Sequence, residues 1–76
     1  MKSLNSTVLA HIIKQRRIME GYTQIGVGKL CRVSASQISR VERGLAFPSA
    51  DFLMKIAGPL NIDAAELLTC AAYLAL

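Results

Sequence analysis

The apolar positions of this chain recur at helical spacing, and no stretch alternates strictly enough to suggest a strand. Leu9, Ile12 and Ile13, with Arg16 or Arg17 next on the same face, predict a helix from about Thr7 to Glu20. Asn5, Ser6 or Thr7 offers a capping side chain at its start, and Gly21 supplies a left-handed stop. A second helix begins at the capping residue Thr23 and runs from Gln24 to about Cys31, with Val27 and Leu30 facing inward. A third opens at Ser34. Ser34-Ala35-Ser36-Gln37 reads as a capping box, in which the Ser side chain bonds forward and the Gln side chain bonds back. Its buried stripe is Ile38 and Val41, and Gly44 ends it. Pro48-Ser49 opens a fourth helix with Phe52, Leu53, Ile56 and Ala57 inward. Gly58-Pro59 should close it, because the residue before proline is pushed out of the helical region. Asp63-Ala64-Ala65-Glu66 is a second capping box and starts a last helix toward Leu76. That helix is apolar on nearly every side, so the domain core or a partner chain must cover it. The expected fold is all-α, a compact bundle of five helices.

Composition narrows the picture. The chain has 76 residues, of which 53% are apolar and only 5% aromatic, so one small domain with an aliphatic core is expected over residues 1–76. Disorder requires low hydrophobicity and high net charge, and is excluded. The longest apolar stretch lies within Leu67–Leu76 and is broken by Thr69, far short of the roughly 20 residues a membrane span needs. No secretory apolar block follows Met1-Lys2-Ser3, so a cytoplasmic chain is expected, with no membrane partner. Cys31 and Cys70 form no CxxC pair, and the single His cannot complete a zinc site with them. Both thiols read as small apolar groups. No metal, cofactor or small-molecule ligand is expected. Catalysis is not expected either. His11 stands beside Ile12 and Ile13 without an identifiable catalytic partner, and Gly26-Val27-Gly28 does not continue into a phosphate-binding GKS or GKT.

Charge is distributed unevenly. Lys2, Lys14, Arg16, Arg17, Lys29, Arg32, Arg40 and Arg43 face only Glu20 and Glu42 within residues 1–44. The rest of the chain holds Lys55 against Asp51, Asp63 and Glu66. A basic half points to a polyanion partner on that side.

The joint between the second and third helices, Cys31-Arg32-Val33, separates two helices of about eight residues, with polar side chains gathered at the start of the later one. That is a helix-turn-helix arrangement. At this point the sequence resembles a family. Thr23-Gln24, Val33-Ser34, Ile38-Ser39-Arg40, Glu42-Arg43-Gly44, Pro48-Ser49, Leu53, Lys55-Ile56-Ala57 and Leu60 match the pattern of the XRE family, the small bacterial and phage regulators that include the lambdoid phage repressors and Cro. The resemblance covers about residues 9–68. It implies a helix-turn-helix at about 23–43 whose second helix lies in the major groove of double-stranded DNA.

Carried over by position, the resemblance offers Ala35, Ser36, Gln37 and Arg40 to base edges and Ser39 to the backbone. The chemistry fits. Gln37 gives and accepts as adenine N6/N7 requires, unless the capping box takes its side chain. Arg40 matches guanine O6/N7, with a phosphate anchor as the other reading. Ser36 serves either kind of edge, and Ala35 has only a methyl for thymine. Ser39 is a phosphate contact or merely solvated. Gln24 lies at a helix N-terminus, where a phosphate is favoured. Thr23, Arg32 and Arg43 are further backbone candidates, and Lys29 reads as a solvated face. The resemblance also implies a structural salt bridge between Arg17 and Glu42, leaving Arg16 the more exposed arginine.

Departures from the family pattern are visible too. Arg32 stands where the turn commonly has Gly, at a cost of about 1 kcal/mol if the backbone there is left-handed. Gly28 stands where Ala is usual and permits close approach of the third helix; the sequence offers no account of Gly26. Leu45, Ala46 and Phe47 occupy a loop that is polar or basic in several relatives, and Phe47 is expected to pack on the domain.

The resulting expectation is a stand-alone, sequence-specific transcriptional regulator, a repressor acting as a homodimer on an inverted-repeat operator. The last helix, about 63–75, is the candidate dimerising element, through Tyr73, Leu74 and Leu76, with intramolecular burial as the other reading. Phage repressor, host repressor, restriction–modification controller and antitoxin-like autorepressor all fit. The rival reading is a protein-interaction or antitoxin-type adaptor on the same scaffold with DNA binding secondary.

Overall fold

A computed structural model describes residues 4–74, with side chains from Ser6 to Tyr73. Five helices follow one another: α1 Leu4–Met19, α2 Gln24–Cys31, α3 Ala35–Glu42, α4 Ala50–Ala57 and α5 Ala64–Leu74. Four starts are fixed by side-chain caps. Gly26 N–H donates to Thr23 Oγ1 at 2.9 Å, Gln37 N–H to Ser34 Oγ at 3.0 Å, Phe52 N–H to Ser49 Oγ at 3.1 Å and Glu66 N–H to Asp63 Oδ1 at 3.0 Å. Each cap satisfies a backbone donor that the helix itself cannot, worth about 1 kcal/mol. Both capping boxes make only their forward half. The return bonds from the Gln37 and Glu66 side chains are not formed, and both side chains remain exposed.

One boundary differs from the sequence expectation. α1 begins at Leu4, so Asn5, Ser6 and Thr7 lie inside the helix rather than capping it, and Ser6 is buried. α4 ends at Ala57, as the Gly58-Pro59 pair led to expect, but Gly58 itself keeps helical angles before Pro59, at φ −58° and ψ −61°. Part of the clash that drives a residue out of the helical region before proline falls on its Cβ, which glycine lacks. Asn61 is left-handed, at φ 57°.

The core is aliphatic around one phenylalanine. Leu9, Ile13, Ile38, Phe52, Leu53, Ile56 and Leu60 are its largest fully buried side chains, with Val27, Val41, Leu67 and Ala71 around them. α1 packs on α3, α2 on α3 and α4, and α4 on α5. Leu30, expected inside, is exposed. The buried stripe of α2 is Val27, Gly28 and Cys31, and Leu30 lies about 100° around the helix from its centre. Phe47 is also exposed, because the loop turns Pro48 inward instead. Cys31 packs as a neutral apolar group, since burial pushes its thiol above the ordinary value.

The α2–α3 joint depends on two unusual backbone positions. A Cβ on Gly28 would stand 2.8 Å from the Val33 carbonyl oxygen, so only glycine lets the turn close over α2. Gly26 is tight for a different reason, since a Cβ there would stand 3.0 Å from the capping Thr23 Oγ1. Arg32 then ends α2 in the left-handed region, at φ 60° and ψ 42°, and Val33 N–H bonds back to the Gly28 carbonyl at 3.0 Å.

A buried carboxylate fixes α3 against the helices before it. Arg17 Nε donates to Glu42 Oε2 at 2.7 Å and Arg17 Nη2 to Glu42 Oε1 at 3.0 Å, with the Glu42 side chain only 2% exposed. Gln24 Nε2 adds a bond to the same Oε1 at 3.1 Å, and Arg17 Nη1 holds the Tyr22 carbonyl at 2.7 Å. The end of α3, the end of α1 and the start of α2 thus meet at one point. Arg16 is the more exposed arginine, at 28% against 12% for the Arg17 side chain. It does separate work: its Nε and Nη2 donate to the Leu60 and Asn61 carbonyls at 3.2 and 3.3 Å, tying the α4–α5 connection to α1.

Two outcomes follow for urea or thermal denaturation. Gly28→Ala should destabilise the domain by about 1–3 kcal/mol, because the new methyl meets backbone rather than a movable side chain. Arg17→Ala should cost about 3–5 kcal/mol, since it leaves the Glu42 carboxylate buried without its charge partner.

Candidate nucleic-acid interface

The sequence of α3 sorts its residues onto two faces. Ile38, Val41 and Glu42 are buried, whereas Ser36, Gln37 and Arg40 are exposed, with Ala35 and Ser39 half-buried between them. Ser34, Ser36, Gln37 and Arg40 line an open groove together with Ala46 of the following loop. Three of the four side chains assigned to base edges are therefore gathered on one accessible surface, whereas half-buried Ala35 does not line it. Because the return half of the capping box is not made, the Gln37 amide keeps its donors and acceptor for an outside partner.

The backbone candidates lie outside the lining of that groove, at the start of α2, at the turn and along and after α3. Thr23 and Gln24 form the start of α2. The cap uses the Gly26 N–H, which leaves the Gln24 and Ile25 N–H groups without an intrahelical acceptor. Gln24 is half-buried, and its amide nitrogen bonds Glu42. That bond takes one of two amide protons, so the side chain is steadied without being exhausted. Arg32 is exposed at the turn itself. Arg43 is exposed at the C-terminal cap of α3, and there it borders a different cleft, with His11 and Lys14 of α1.

The electrostatics follow from where the carboxylates are placed. Glu42 pairs with Arg17, Glu20 with Arg16 and Asp51 with Lys55. Asp63 caps α5, and Glu66 borders a shallow surface on that same helix. Among the described residues, Lys14, Lys29, Arg32, Arg40 and Arg43 stand in no ion pair. Four of these five cations, Lys29, Arg32, Arg40 and Arg43, belong to α2, α3 and the positions that cap them, so unneutralised positive charge is carried by the helix-turn-helix.

Two features of this surface escaped the sequence reading. Ala46 lines the groove because the loop after α3 folds back beside it, and hydrophobic periodicity carries no signal for a loop's course. The convergence of His11, Lys14 and Arg43 needs the α1–α3 packing, and the helical spacing of Thr7, His11 and Lys14 is a signal that could have found only the α1 half of it. On α5, Tyr73 is 76% exposed and borders a shallow apolar surface with Ala65, Glu66, Thr69 and Cys70. Of its companions as candidate dimer contacts, the Leu74 side chain and all of Leu76 lie outside the described residues. None of the described helices is long and apolar enough to cross a membrane.

The geometry can be set beside known proteins. A helix-turn-helix family model matches residues 13–67. An uncharacterised HTH-type transcriptional regulator of Bacillus subtilis (strain 168), YazB, is 42% identical over 55 residues, which span 72% of this chain and 80% of that protein. Among solved structures, the clp gene regulator ClgR of Corynebacterium glutamicum superposes with a TM-score of 0.77 at 26% identity, covering 99% of this chain and 81% of that one. The restriction-modification controller protein C.Esp1396I has the same fold, with a TM-score of 0.77 at 20% identity over 99% of this chain and 96% of its own. A matched family model over most of the chain, a close relative of the same kind and an outward-facing third helix lead to one conclusion: the chain belongs to the XRE-type helix-turn-helix family of DNA-binding transcriptional regulators.

Proposed function

We propose that this chain is a repressor that acts in the cytoplasm as a homodimer on an inverted-repeat operator in double-stranded DNA. The observation that carries the reading is the two-sidedness of α3. Its apolar stripe is buried, its carboxylate is tied down, and its Ser36, Gln37 and Arg40 face an open groove. In this reading Arg40 takes guanine O6/N7 and Gln37 takes adenine N6/N7, with Ser36 and Ala35 beside them. Thr23, Gln24, Arg32, Ser39 and Arg43 hold phosphates and set the register. The remainder of residues 1–76 serves as the single domain that presents this motif.

The homodimer follows from footprint. A reading helix of 8 residues spans about 12 Å and meets only a few base pairs. A two-fold dimer places two such helices about 34 Å apart, one DNA turn, and so doubles the site. The exposed face of α5 around Tyr73 is the surface that this reading assigns to the partner copy, with Leu74 and Leu76 as further candidates by sequence.

Selection of bound duplexes from a random pool, with native mass measurement of the complex, tests both parts. An inverted repeat with two chains bound is expected. An asymmetric site with one chain overturns the dimer, and retention of no duplex overturns DNA reading in favour of a protein adaptor. Arg40→Ala should relax preference at one base pair per half-site, by about 1–3 kcal/mol. Equal weakening on every duplex would move Arg40 to the backbone. Arg32→Gly should raise the melting temperature, by removing about 1 kcal/mol of left-handed strain, while weakening all duplexes alike. Unchanged binding would remove Arg32 from the contact set.

A further inference from the structure

We propose that Arg16 is a positioning residue for DNA recognition. It fixes α5 relative to α3, and thereby sets the gap between half-sites that a dimer of this chain accepts. The inference rests on the homodimeric reading proposed above and adds to it the residue that holds the two reading helices in step with the duplex.

Packing alone locates α5 loosely. Among its described side chains, Leu67 and Ala71 are buried, one turn apart on a single ridge, and α5 packs on α4. Apolar contact is non-directional, and a ridge of one leucine and one alanine tolerates sliding and tilting. Hydrogen bonds fix the connection instead. Its N–H groups are used locally: Leu60 N–H donates to the Ile56 carbonyl at 3.1 Å, Asn61 N–H to the Gly58 carbonyl at 2.9 Å and Ile62 N–H to the Ala57 carbonyl at 3.0 Å. The carbonyls of Leu60 and Asn61 accept from Arg16, from Nε at 3.2 Å and from Nη2 at 3.3 Å. Asn61 is the left-handed residue of this connection, so the guanidinium bridges the backbone just before Asp63 caps α5. A rigid two-pronged donor resists a rotation that a single contact would allow.

The next residue in the chain makes the other half of the link. Arg17 holds Glu42 at the end of α3. Consecutive residues project about 100° apart around a helix. α1 therefore grips α3 through one arginine and the approach to α5 through its neighbour. Glu20, one turn on, opposes the Arg16 charge at 3.8 Å, so Arg16 is not among the cations left for a phosphate. The leverage is large. Tyr73 lies about 13 Å along α5 from Ala64, so a tilt of about 10° at the connection moves it by roughly 2 Å relative to α3. A two-fold axis doubles that to roughly 4 Å, more than the rise of about 3.4 Å per base pair.

The test uses the full chain and the selected inverted repeat, with the gap between half-sites lengthened or shortened by one base pair. The unaltered chain should discriminate against both altered gaps. Arg16→Ala should shrink that discrimination roughly five- to tenfold, the scale of one hydrogen bond from a charged donor. Arg16→Met, which keeps the aliphatic stem and loses the donors, should do the same, and it serves where Arg16→Ala does not fold. Arg16→Lys, which keeps a cationic donor for the carbonyls, should restore part of the discrimination. Preference among half-site sequences and the slope of log K against log salt should stay as in the unaltered chain, because Arg16 is bound to the chain's own carbonyls. Binding is read at a temperature where circular dichroism shows each variant folded. If the donor-less variants keep the full discrimination, or the unaltered chain is indifferent to the gap, the inference is overturned and the homodimer stands. Equal weakening at every gap, with a slope lower by about 1, overturns it too, since that marks a phosphate contact. If the unaltered chain binds as a single copy, the homodimer falls, and this inference with it.

Discussion

The position of α3 depends on a single buried carboxylate. Glu42 closes α3, and its side chain is almost wholly removed from water. A carboxylate in that position costs several kcal/mol unless it is paired and hydrogen-bonded. Arg17 supplies a two-pronged partner from α1, and Gln24 supplies a third donor from α2. Such a pair adds little net stability over apolar packing, but it is directional. Hydrophobic contacts between short helices tolerate sliding, whereas a forked guanidinium on a carboxylate does not. The pair therefore sets where α3 sits and which way its exposed side chains point.

The same contact shapes the charge of the surface. With Glu42, Glu20 and Asp51 engaged by Arg17, Arg16 and Lys55, the cations in no ion pair among the described residues are Lys14 of α1 and Lys29, Arg32, Arg40 and Arg43 of the helix-turn-helix. The formal net charge of +4 is modest, yet its distribution is one-sided. The structural arginines and the exposed ones differ by position and not by type. Arg16 and Arg17 bind backbone carbonyls and a buried carboxylate, while Arg32, Arg40 and Arg43 project from the turn, from the middle of α3 and from its end.

Strain and close approach meet at the joint between α2 and α3. Gly28 lets the Val33 carbonyl pass where a methyl would collide, and Arg32 takes a left-handed conformation that glycine would adopt more cheaply. Both serve one geometric need, a sharp change of direction within three residues. The first is met by removing a side chain. The second is met at an energetic cost, by a residue whose cation is exposed at the turn.

Much of this was legible in the order of residues, because caps and periodicities are local. Thr23, Ser34, Ser49 and Asp63 marked helix starts through bonds that span three residues, and the stripes Ile38/Val41 and Phe52/Leu53/Ile56/Ala57 named the core faces of α3 and α4. Resemblance to a family, not periodicity, pointed to the Arg17–Glu42 pair. What local signals misplaced was decided by neighbours: Leu30 is as apolar as Val27 but lies off the buried stripe of α2, and Phe47 yields its place to Pro48. The sequence by itself determined which segments are helical and which residues carry donors for a polyanion. Only the tertiary structure decided which of the described cations are left unpaired, that Ala46 borders the groove of α3, and that His11, Lys14 and Arg43 share a cleft. Those facts depend on contacts between residues distant in the chain, which no local propensity encodes.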